Sequence, residues 1–593
     1  MQFLKKQLKI YIFGTNDHKY FSKTQYTVNT ANENELYDAI VVGSGISGGW
    51  AAKELCENGM KTLILERGRM VKHIDDYPTM HLDPWDMKFK GQQPREKKAR
   101  QLKQARTGYV HTAERGHFFV DDIDHPYNEK KRFDWIRGYH VGGRSLMWGR
   151  QSYRWCEADF EANKKEGIAV DWPVRYADIA PWYDKVEEYI SVSGEKLGLD
   201  ALPDGQFSPP MELNCVEEVL KKNIAENYKD RVLTIGRVAH ITGNKTYDGR
   251  SACQFRNRCM RGCPFGGYFS SNSSTLPAAE RTGNMTLRPH SIVSEVVYDP
   301  ESGKATGVKV IDGETGEKLE FKSKVVFLCA SAIATASILM QSKSERFPNG
   351  MGNDSGELGH NLMDHHFKAG ATAKWEGDLD KYYKGRRPNG IYIPRFRNLG
   401  GDTDQKTYKR GFGYQGGAGR GDTQALVAEA GYGMDLKNAV QQPGGWTISL
   451  MGFGECLPYH ENKMELDYNK LDKWGLPTVT FDAEWKENEW EMRKDMIASA
   501  KEMLSNAGFT NIQTMDDPSA PGNGIHEMGT ARMGRDPKTS VCNANNQLHA
   551  VPNVYVTDGA FMTSASCVNP SLTYMAFSAR AANHAAAQIK KEA

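Results

Sequence analysis

Residues 36–48 read Leu-Tyr-Asp-Ala-Ile-Val-Val-Gly-Ser-Gly-Ile-Ser-Gly, an apolar run of strand type followed at once by a glycine-rich turn. The turn has the spacing Gly-x-Gly-x-x-Gly, and small and apolar residues then recur at helical spacing as far as Gly59. A second strand-like run, residues 61–65, ends at Glu66, about 20 residues after the glycines. Strand, turn, helix, strand and acid in this order predict the β-α-β unit that binds a dinucleotide.

Each part of this unit has a physical role. The first glycine permits the tight turn, the second lets backbone approach a pyrophosphate, and the third lets the helix pack on the strand. The helix N-terminus attracts phosphate, and the acid accepts hydrogen bonds from the adenosine ribose. The unit does not by itself distinguish FAD from NAD. The predicted cofactor contacts are Gly43, Gly45, Ile46, Ser47, Gly48, Glu66 and Arg67.

The composition favours an enzyme with a small-molecule ligand. The chain has 593 residues, 39% of them hydrophobic, which is long enough for two domains with large cores. Lysine plus arginine (76) nearly balance aspartate plus glutamate (74), and the charges are spread along the chain. This pattern gives no electrostatic footprint for nucleic acid or an anionic membrane. No stretch of about 18 apolar residues occurs, so no membrane span is predicted.

Residues 1–35 are polar and lack clear periodicity, and we interpret them as an N-terminal arm. The apolar run at residues 10–13 is too short for the core of a secretory signal peptide. We therefore expect a chain without its own signal peptide, cytoplasmic by sequence, which would reach the periplasm only by co-export with a partner subunit.

Residues 138–150 read Gly-Tyr-His-Val-Gly-Gly-Arg-Ser-Leu-Met-Trp-Gly-Arg. This segment resembles the Gly-Gly-x-Ser-x-x-Trp segment that lies along the flavin in the glucose-methanol-choline (GMC) oxidoreductase family. The resemblance implies FAD as the cofactor. Covalent members of the family have a histidine before that tryptophan, whereas this chain has Met147, so we expect non-covalent FAD. The implied flavin contacts are Gly142, Gly143, Ser145, Met147, Trp148 and Gly149.

Two segments near the C-terminus are similar to the catalytic motifs of the same family. Residues 526–534, His-Glu-Met-Gly-Thr-Ala-Arg-Met-Gly, resemble the His-x-x-Gly-Thr-x-Arg-Met-Gly motif of its sugar-acting branch, whose histidine is the catalytic base. Residues 567–573, Cys-Val-Asn-Pro-Ser-Leu-Thr, resemble the second catalytic position. The implied catalytic pair is His526 and Asn569. Further implied cofactor contacts, after strand-like runs at 325–329 and 553–557 and in the last motif, are Ala330, Asp558, Gly559, Asn569, Pro570 and Thr573.

The chemistry agrees with these residue types. Oxidising an alcohol carbon needs a base for the hydroxyl proton and an acceptor for the hydride, and a neutral imidazole with a pKa near 6.5 suits the first task. In this interpretation flavin N5 takes the hydride, while the Asn569 amide stabilises the developing alkoxide and orients the carbinol C–H. The alternative is structural: a hydrogen-bonded core histidine at 526 and a turn asparagine before Pro570.

A cysteine-rich loop, residues 251–267, contains Cys253, Cys259 and Cys263 at a C-x5-C-x3-C spacing. Thiols this close, with Pro264 directly after the last, predict a shared metal. The same spacing occurs in catalytic subunits of bacterial sugar dehydrogenases of the GMC family, and this resemblance implies a 3Fe-4S cluster. Two alternatives stay open: a zinc site completed by a distant residue, and free thiols without metal.

The expected fold is α/β, with a Rossmann-like FAD-binding domain built from discontinuous segments and a substrate domain with an antiparallel sheet. The predicted FAD-binding segments are 36–75, 110–160, 240–345 and 520–590, and the predicted substrate domain comprises 161–239 and 346–519.

The resemblance implies a dehydrogenase that oxidises a sugar hydroxyl, preferentially at C3 of glucosides. Nothing in composition or spacing selects the ring carbon, so C1 of glucose and C2 of gluconate are alternatives. Electrons would leave through the cluster to an external acceptor. The implied partners are a small accessory subunit and a cytochrome c, because the chain contains no C-x-x-C-H haem motif. Other classes to distinguish are an oxygen-reducing pyranose oxidase, a non-enzymatic flavoprotein and an NAD-dependent dehydrogenase.

Overall fold

A computed structural model describes residues 31–83, 85–243, 247, 249–381, 388–421, 433–441 and 444–592. Most of the predicted N-terminal arm, residues 1–30, lies outside the described residues. In the described ranges, no helix has the length and apolar character needed to cross a membrane.

The strands in chain order are β1 (Leu36–Val42), β2 (Thr62–Leu65), β3 (Asn128–Glu129), β4 (Val192–Ser193), β5 (Thr234–Ile235), β6 (Val238–Ala239), β7 (Met285–Arg288), β8 (Ser291–Asp299), β9 (Lys304–Asp312), β10 (Lys318–Leu328), β11 (His366–Trp375), β12 (Ile391–Ile393), β13 (Phe412–Arg420), β14 (Trp446–Gly454), β15 (Lys463–Leu471), β16 (Pro477–Asp482), β17 (Thr510–Asp516) and β18 (Val554–Val556). The α-helices are α1 (Ile46–Glu57), α2 (Arg95–Arg100), α3 (Glu157–Glu166), α4 (Tyr176–Ile190), α5 (Cys215–Asn227), α6 (Thr275–Arg281), α7 (Ala332–Gln341), α8 (Gly433–Gln441), α9 (Glu487–Asn506) and α10 (Ser571–Glu592).

A mixed sheet of seven strands contains the predicted dinucleotide unit. Strand β1 pairs in parallel with β2 and β10, β2 continues in parallel to β7, and β10 continues in parallel to β18. Strands β8 and β9 extend from β10 as antiparallel neighbours. Helices cover both faces, which explains the nearly continuous apolar run of β1. Ala39 and Val41 pack towards α1, α6 and α10, whereas Ile40 and Val42 share the other core with α7.

A second sheet of six strands is antiparallel throughout, in the order β17-β11-β14-β13-β12-β5. Along β14, Trp446, Ile448 and Leu450 alternate into a core that includes residues of α5 and α9. This alternation is typical of a sheet with one covered face. A Rossmann-like sheet with a separate antiparallel sheet confirms the expected fold class. The predicted domain boundaries stay a prediction.

Candidate active site

A cavity of about 590 Å³ brings together the glycine turn, the end of β2, the segment after Gly142, the β10–α7 turn and the two C-terminal motifs. Its volume is in the range of small-molecule and cofactor sites. Strands β13 and β14 of the antiparallel sheet contribute residues to the opposite wall. The predicted site residues that line it are Gly43, Gly45, Ile46, Ser47, Glu66, Arg67, Gly143, Ser145, Met147, Trp148, Gly149, Ala330, His526, Asp558, Gly559 and Asn569.

Four predicted cofactor contacts lie outside the cavity lining. A Cβ on Gly48 would be 1.9 Å from the carbonyl oxygen of Gly43, so this glycine permits close packing of α1 on the turn. Gly142 has φ +87°, and a Cβ there would lie 1.6 Å from Oδ1 of Asn272. The Thr573 hydroxyl lies 2.8 Å from a buried tyrosine hydroxyl. The four residues are Gly48, Gly142, Pro570 and Thr573.

The glycine turn has the shape that a pyrophosphate needs. Gly43 has φ +97°, and a Cβ there would lie 2.6 Å from the carbonyl oxygen of Cys329. A Cβ on Gly45 would meet no atom within 4 Å, so this position leaves open space at the start of α1. The first turn of α1 contains no acidic side chain, which leaves its amides suited to phosphate. These residues fit a dinucleotide.

Glu66 is buried where β2 ends, in the position expected for a ribose contact. Its Oε2 accepts hydrogen bonds from the amide (3.1 Å) and hydroxyl (2.5 Å) of Ser44, and its Oε1 accepts one from the Gly68 amide (2.9 Å). Burial raises the pKa of this carboxyl. The Ser44 hydroxyl also accepts a hydrogen bond from the Gly142 amide at 2.9 Å, which ties the two glycine segments together. Ser44 was missed because the motif leaves its position undefined.

Asp558 lies where β18 ends, and its carboxylate accepts hydrogen bonds from the turn before α7 and from the first turn of that helix. Its Oδ2 accepts hydrogen bonds from the Ser331 amide (2.9 Å) and the Thr335 hydroxyl (2.5 Å), and its Oδ1 accepts one from the Ala560 amide (2.9 Å). Burial raises the pKa of Asp558 to about 6. The carboxyl thus fixes two adjacent parts of the cavity wall.

His526 and Asn569 meet at the cavity, with Nε2 of the imidazole 3.3 Å from Nδ2 of the amide. Oδ1 of Asn569 accepts a hydrogen bond from Nε2 of Gln415 on β13 at 2.7 Å. This contact directs the NH2 of Asn569 to the imidazole, so Nε2 of His526 is the acceptor. Burial, with smaller contributions from His365 and Arg144, lowers the pKa of His526 well below its usual value. The lowered pKa favours a neutral imidazole, and the role of His526 as a base stays a prediction.

The loop that carries His526 is fastened by a buried acid that sequence reasoning missed. Asp364 accepts hydrogen bonds from the amides of Gly522 (2.8 Å), Gly524 (2.8 Å) and His526 (3.0 Å). Burial raises the pKa of Asp364 to about 7. None of the motifs quoted above includes Asp364, so its contacts become visible only in the folded chain.

Next to His526 lies a partly buried ion pair, the second missed feature. Nη1 and Nη2 of Arg144 donate to the two carboxylate oxygens of Glu527 at 3.1 and 2.8 Å. This bidentate arrangement is the strong form of such a pair. Arg144 and Glu527 both line the cavity, so they bring fixed charges close to His526.

The three clustered cysteines line a second cavity, of about 20 Å³, together with His240. Burial raises the pKa of Cys253 to about 12, and Sγ of Cys259 lies 3.7 Å from Nε2 of His240. Among the residues that the structure describes, no three His, Cys, Asp or Glu side chains are arranged to hold a metal ion. The thiols therefore share one cavity without forming a ligand set as placed, and these positions do not fit a cluster.

Fold and cavity together define a class: a protein with a dinucleotide-binding domain and an imidazole at the wall of its cavity. The chain belongs to the GMC oxidoreductase family, whose N-terminal model matches residues 37–367 and whose C-terminal model matches residues 458–578. Enzymes of this family oxidise CH–OH donors, and membership supports FAD binding.

Several relatives align over most of the chain. It is 27% identical over 564 residues to 2-methyl-1,2-propanediol dehydrogenase of Mycolicibacterium austroafricanum, covering 92% of this chain and 94% of the relative. It is 24% identical to the fructose dehydrogenase large subunit of Gluconobacter japonicus (93% and 98% covered). It is 25% identical to the gluconate 2-dehydrogenase flavoprotein of Pantoea cypripedii (92% and 92% covered).

Solved structures share the fold at low identity. Formate oxidase of Aspergillus oryzae superposes with a TM-score of 0.60 at 13% identity, covering 95% of this chain and all of that one. Pyridoxine 4-oxidase of Mesorbium loti gives 0.57 at 15% identity, covering 92% and 98%. These likenesses confirm the architecture.

Proposed function

We propose that this chain is an FAD-dependent dehydrogenase that oxidises a secondary hydroxyl of a sugar, with C3 of a glucoside as the preferred position. FAD, held non-covalently in the cavity, would supply the acceptor for the hydride. The observation that carries the proposal is the neutral His526 beside Asn569 at the wall of the cavity. The relatives named as fructose and gluconate dehydrogenases support a sugar as the substrate.

The chain's own residues account for the proton. Nε2 of His526 takes the hydroxyl proton as the carbinol C–H bond breaks and the carbonyl forms. The Asn569 amide donates to the substrate oxygen while negative charge develops there. Gln415 fixes that amide by donating to its Oδ1 at 2.7 Å, which places the NH2 beside Nε2 of His526, where the substrate oxygen would bind. Asp364 holds the loop of His526 through three amides, which limits drift of the base.

The wall opposite the cofactor segments favours a substrate with several hydroxyls. Oδ1 of Asn389 is buried with no hydrogen-bond partner in the described part of the chain, while its Nδ2 donates to the Gly236 carbonyl. A buried acceptor without a partner costs about 1–3 kcal/mol, which a hydroxyl donor from a ligand would offset. Oε1 of the adjacent wall residue Gln151 accepts from the Tyr153 hydroxyl at 2.6 Å, which fixes its amide. Fixed amides suit hydroxyl recognition.

The position of oxidation is tested by product analysis. Purified protein is incubated with methyl glucoside and an artificial electron acceptor, and the product is identified by NMR. We expect a 3-keto glucoside, and no turnover with the matched 3-deoxy glucoside. Turnover of the 3-deoxy compound would reject C3, and turnover of simple aliphatic alcohols alone would reject a sugar substrate.

The route of the electrons is a separate proposal. We infer an external acceptor, a cytochrome c reached with the help of a small accessory subunit, and co-export with that subunit to the periplasm. Relatives named as a large subunit and as a flavoprotein support a multi-subunit enzyme. Purification of the chain from its native host should yield both partners in one complex. Recovery as a lone chain with full activity towards cytochrome c would contradict this.

The 3Fe-4S cluster implied by the cysteine spacing also stays a proposal. Its support is that Cys253, Cys259 and Cys263 face one cavity, although the thiols would have to move closer together to share a cluster. Iron content and the EPR spectrum of anaerobically purified protein test it, with a Cys259→Ser variant as control. Iron that is absent from wild type, or unchanged in the variant, would reject it.

A second candidate is an oxygen-reducing oxidase, because the relatives also include paromamine 6'-oxidase of Streptomyces fradiae, 26% identical with 95% of this chain and 93% of the relative covered. Oxygen consumption during sugar turnover distinguishes the two functions. Oxygen uptake that matches product formation would favour the oxidase.

A further inference from the structure

His365 lies against the imidazole of His526 without lining the cavity. Nδ1 of one ring is 3.0 Å from Nδ1 of the other, and the rings meet edge to face at an angle of 76°. Nε2 of His365 lies 3.4 Å from the carbonyl oxygen of Ala565. His365 is fully buried, so its ring has a fixed orientation.

These contacts determine which nitrogens carry protons. A backbone carbonyl can only accept, so Nε2 of His365 carries the proton and its Nδ1 keeps a lone pair. Burial lowers the pKa of His365 to about 4, which keeps the ring neutral near pH 7. Because Nδ1 of His365 can only accept, Nδ1 of His526 must donate. Its Nε2 is then unprotonated, as the Asn569 contact also requires.

We propose that His365 is a positioning residue that selects the reactive tautomer of His526, keeping Nε2 unprotonated at the cavity wall, where the substrate hydroxyl can donate to it. The inference rests on the proposed function, because only a proton-accepting His526 needs this tautomer. The series of hydrogen bonds from the Ala565 carbonyl through His365 to His526 selects this tautomer without a charged partner. In serine proteases, loss of the residue that sets the histidine tautomer slows turnover about 10⁴-fold, which shows how large such an effect can be.

The charged and titratable groups around His526 are engaged elsewhere. Asp364 bonds backbone amides, and Arg144 bonds Glu527. The hydroxyl of Tyr574 donates to the carbonyl of Glu527 at 3.4 Å. Tyr109, on another element near this site, donates its hydroxyl to the Asn523 carbonyl at 3.0 Å. Among the residues that the structure describes, the hydrogen-bond contact at Nδ1 of His526 is therefore the one with His365.

The test compares His365→Leu with His365→Gln, whose side-chain carbonyl can still accept from Nδ1 of His526. Anaerobic stopped-flow gives the limiting rate of cofactor reduction by methyl glucoside and the apparent Kd of the sugar. We expect the leucine variant to be slowed about 100-fold with Kd nearly unchanged, and the glutamine variant to recover at least about tenfold. Equal losses in both variants, or a loss that appears in Kd, would show a merely structural role and overturn the proposal.

Two controls keep the outcomes separate. His526→Ala that reduces the cofactor at the wild-type rate would reject the proposed function itself. A slow His526→Ala beside a normal His365→Leu would reject only the role of His365. If the leucine variant does not fold, His365→Met replaces it, since a thioether is a weak acceptor. We then expect the glutamine variant to reduce the cofactor at least about tenfold faster than the methionine variant. Equal rates in these two variants would overturn the proposal.

Discussion

The two walls of the cavity are built differently. The proposed cofactor wall is formed largely by backbone, namely the turn at Gly43 and Gly45 and the amides at the start of α1. On the proposed substrate wall, side chains from separate elements converge, with Gln415 on β13 and Asn389 before β12. Backbone geometry is nearly independent of side-chain choice, whereas side-chain geometry can change by a single substitution. The difference suggests that one wall is general and the other selective.

The largest effect is expected where the walls meet. His526→Ala should slow cofactor reduction by about 10²–10⁴-fold, the usual contribution of a general base. FAD content should stay at the wild-type level, because the His526 side chain belongs to the proposed substrate wall and not to the proposed cofactor wall. Stopped-flow reduction with a parallel FAD assay measures both. Loss of FAD in this variant would show that the walls are not separate.

A backbone change should damage the cofactor wall. Gly43→Ala places a Cβ 2.6 Å from a backbone oxygen at φ +97°, so we expect FAD content to fall severalfold. Gly59→Ala is the matched control, because Gly59 has φ +85° with no atom within 4 Å of a Cβ. It should lose about 1–2 kcal/mol of stability and keep its FAD. Equal FAD content in both folded variants would contradict the role of the turn.

A side-chain change on the other wall should affect only the sugar. Asn389→Ala removes the unpaired acceptor, and we expect the apparent Kd of methyl glucoside to rise about tenfold, the value of one hydrogen bond. Asn546→Ala is the control, since Oδ1 of Asn546 is also buried without a partner among the described residues but lies outside the cavity. An equal change of Kd in the control would show a general effect of stability.

The smallest effect concerns pH. Burial lowers the pKa of His526 well below 6.5, and the base is neutral above its pKa, so the limiting reduction rate should change less than about twofold between pH 8 and pH 6. An imidazole with the ordinary pKa would lose about three quarters of its neutral form at pH 6. Asp364, with a pKa of about 7, also titrates in this range. The Asp364→Asn variant shows how much of the pH dependence of the reduction rate comes from this carboxyl. A fourfold fall of the reduction rate between pH 8 and pH 6 that persists in the Asp364→Asn variant would contradict a lowered pKa of His526.

The contrast between the walls also explains how much the sequence predicted. Gly43, Gly45 and Glu66, which line the cavity, could be predicted because a dinucleotide site requires particular residue types at fixed spacings. His526 and Asn569, which also line it, could be predicted because motifs surround them. His365 and Gln415 were missed, since an adjacent-histidine pair and a strand glutamine have many ordinary uses. Their roles arise from strand register and loop packing between segments some 150 residues apart, which local spacing does not contain.

The assignment of the chemistry rests on hydride removal from the sugar carbon next to His526. Anaerobic mixing of wild-type protein with methyl glucoside that carries deuterium at C3, with the unlabelled sugar in parallel, tests this step. We expect the visible flavin absorbance to bleach with both sugars, more slowly with the labelled one, and the product to have lost its deuterium. Flavin that stays oxidised with every sugar, or a product that retains deuterium at C3, would contradict it.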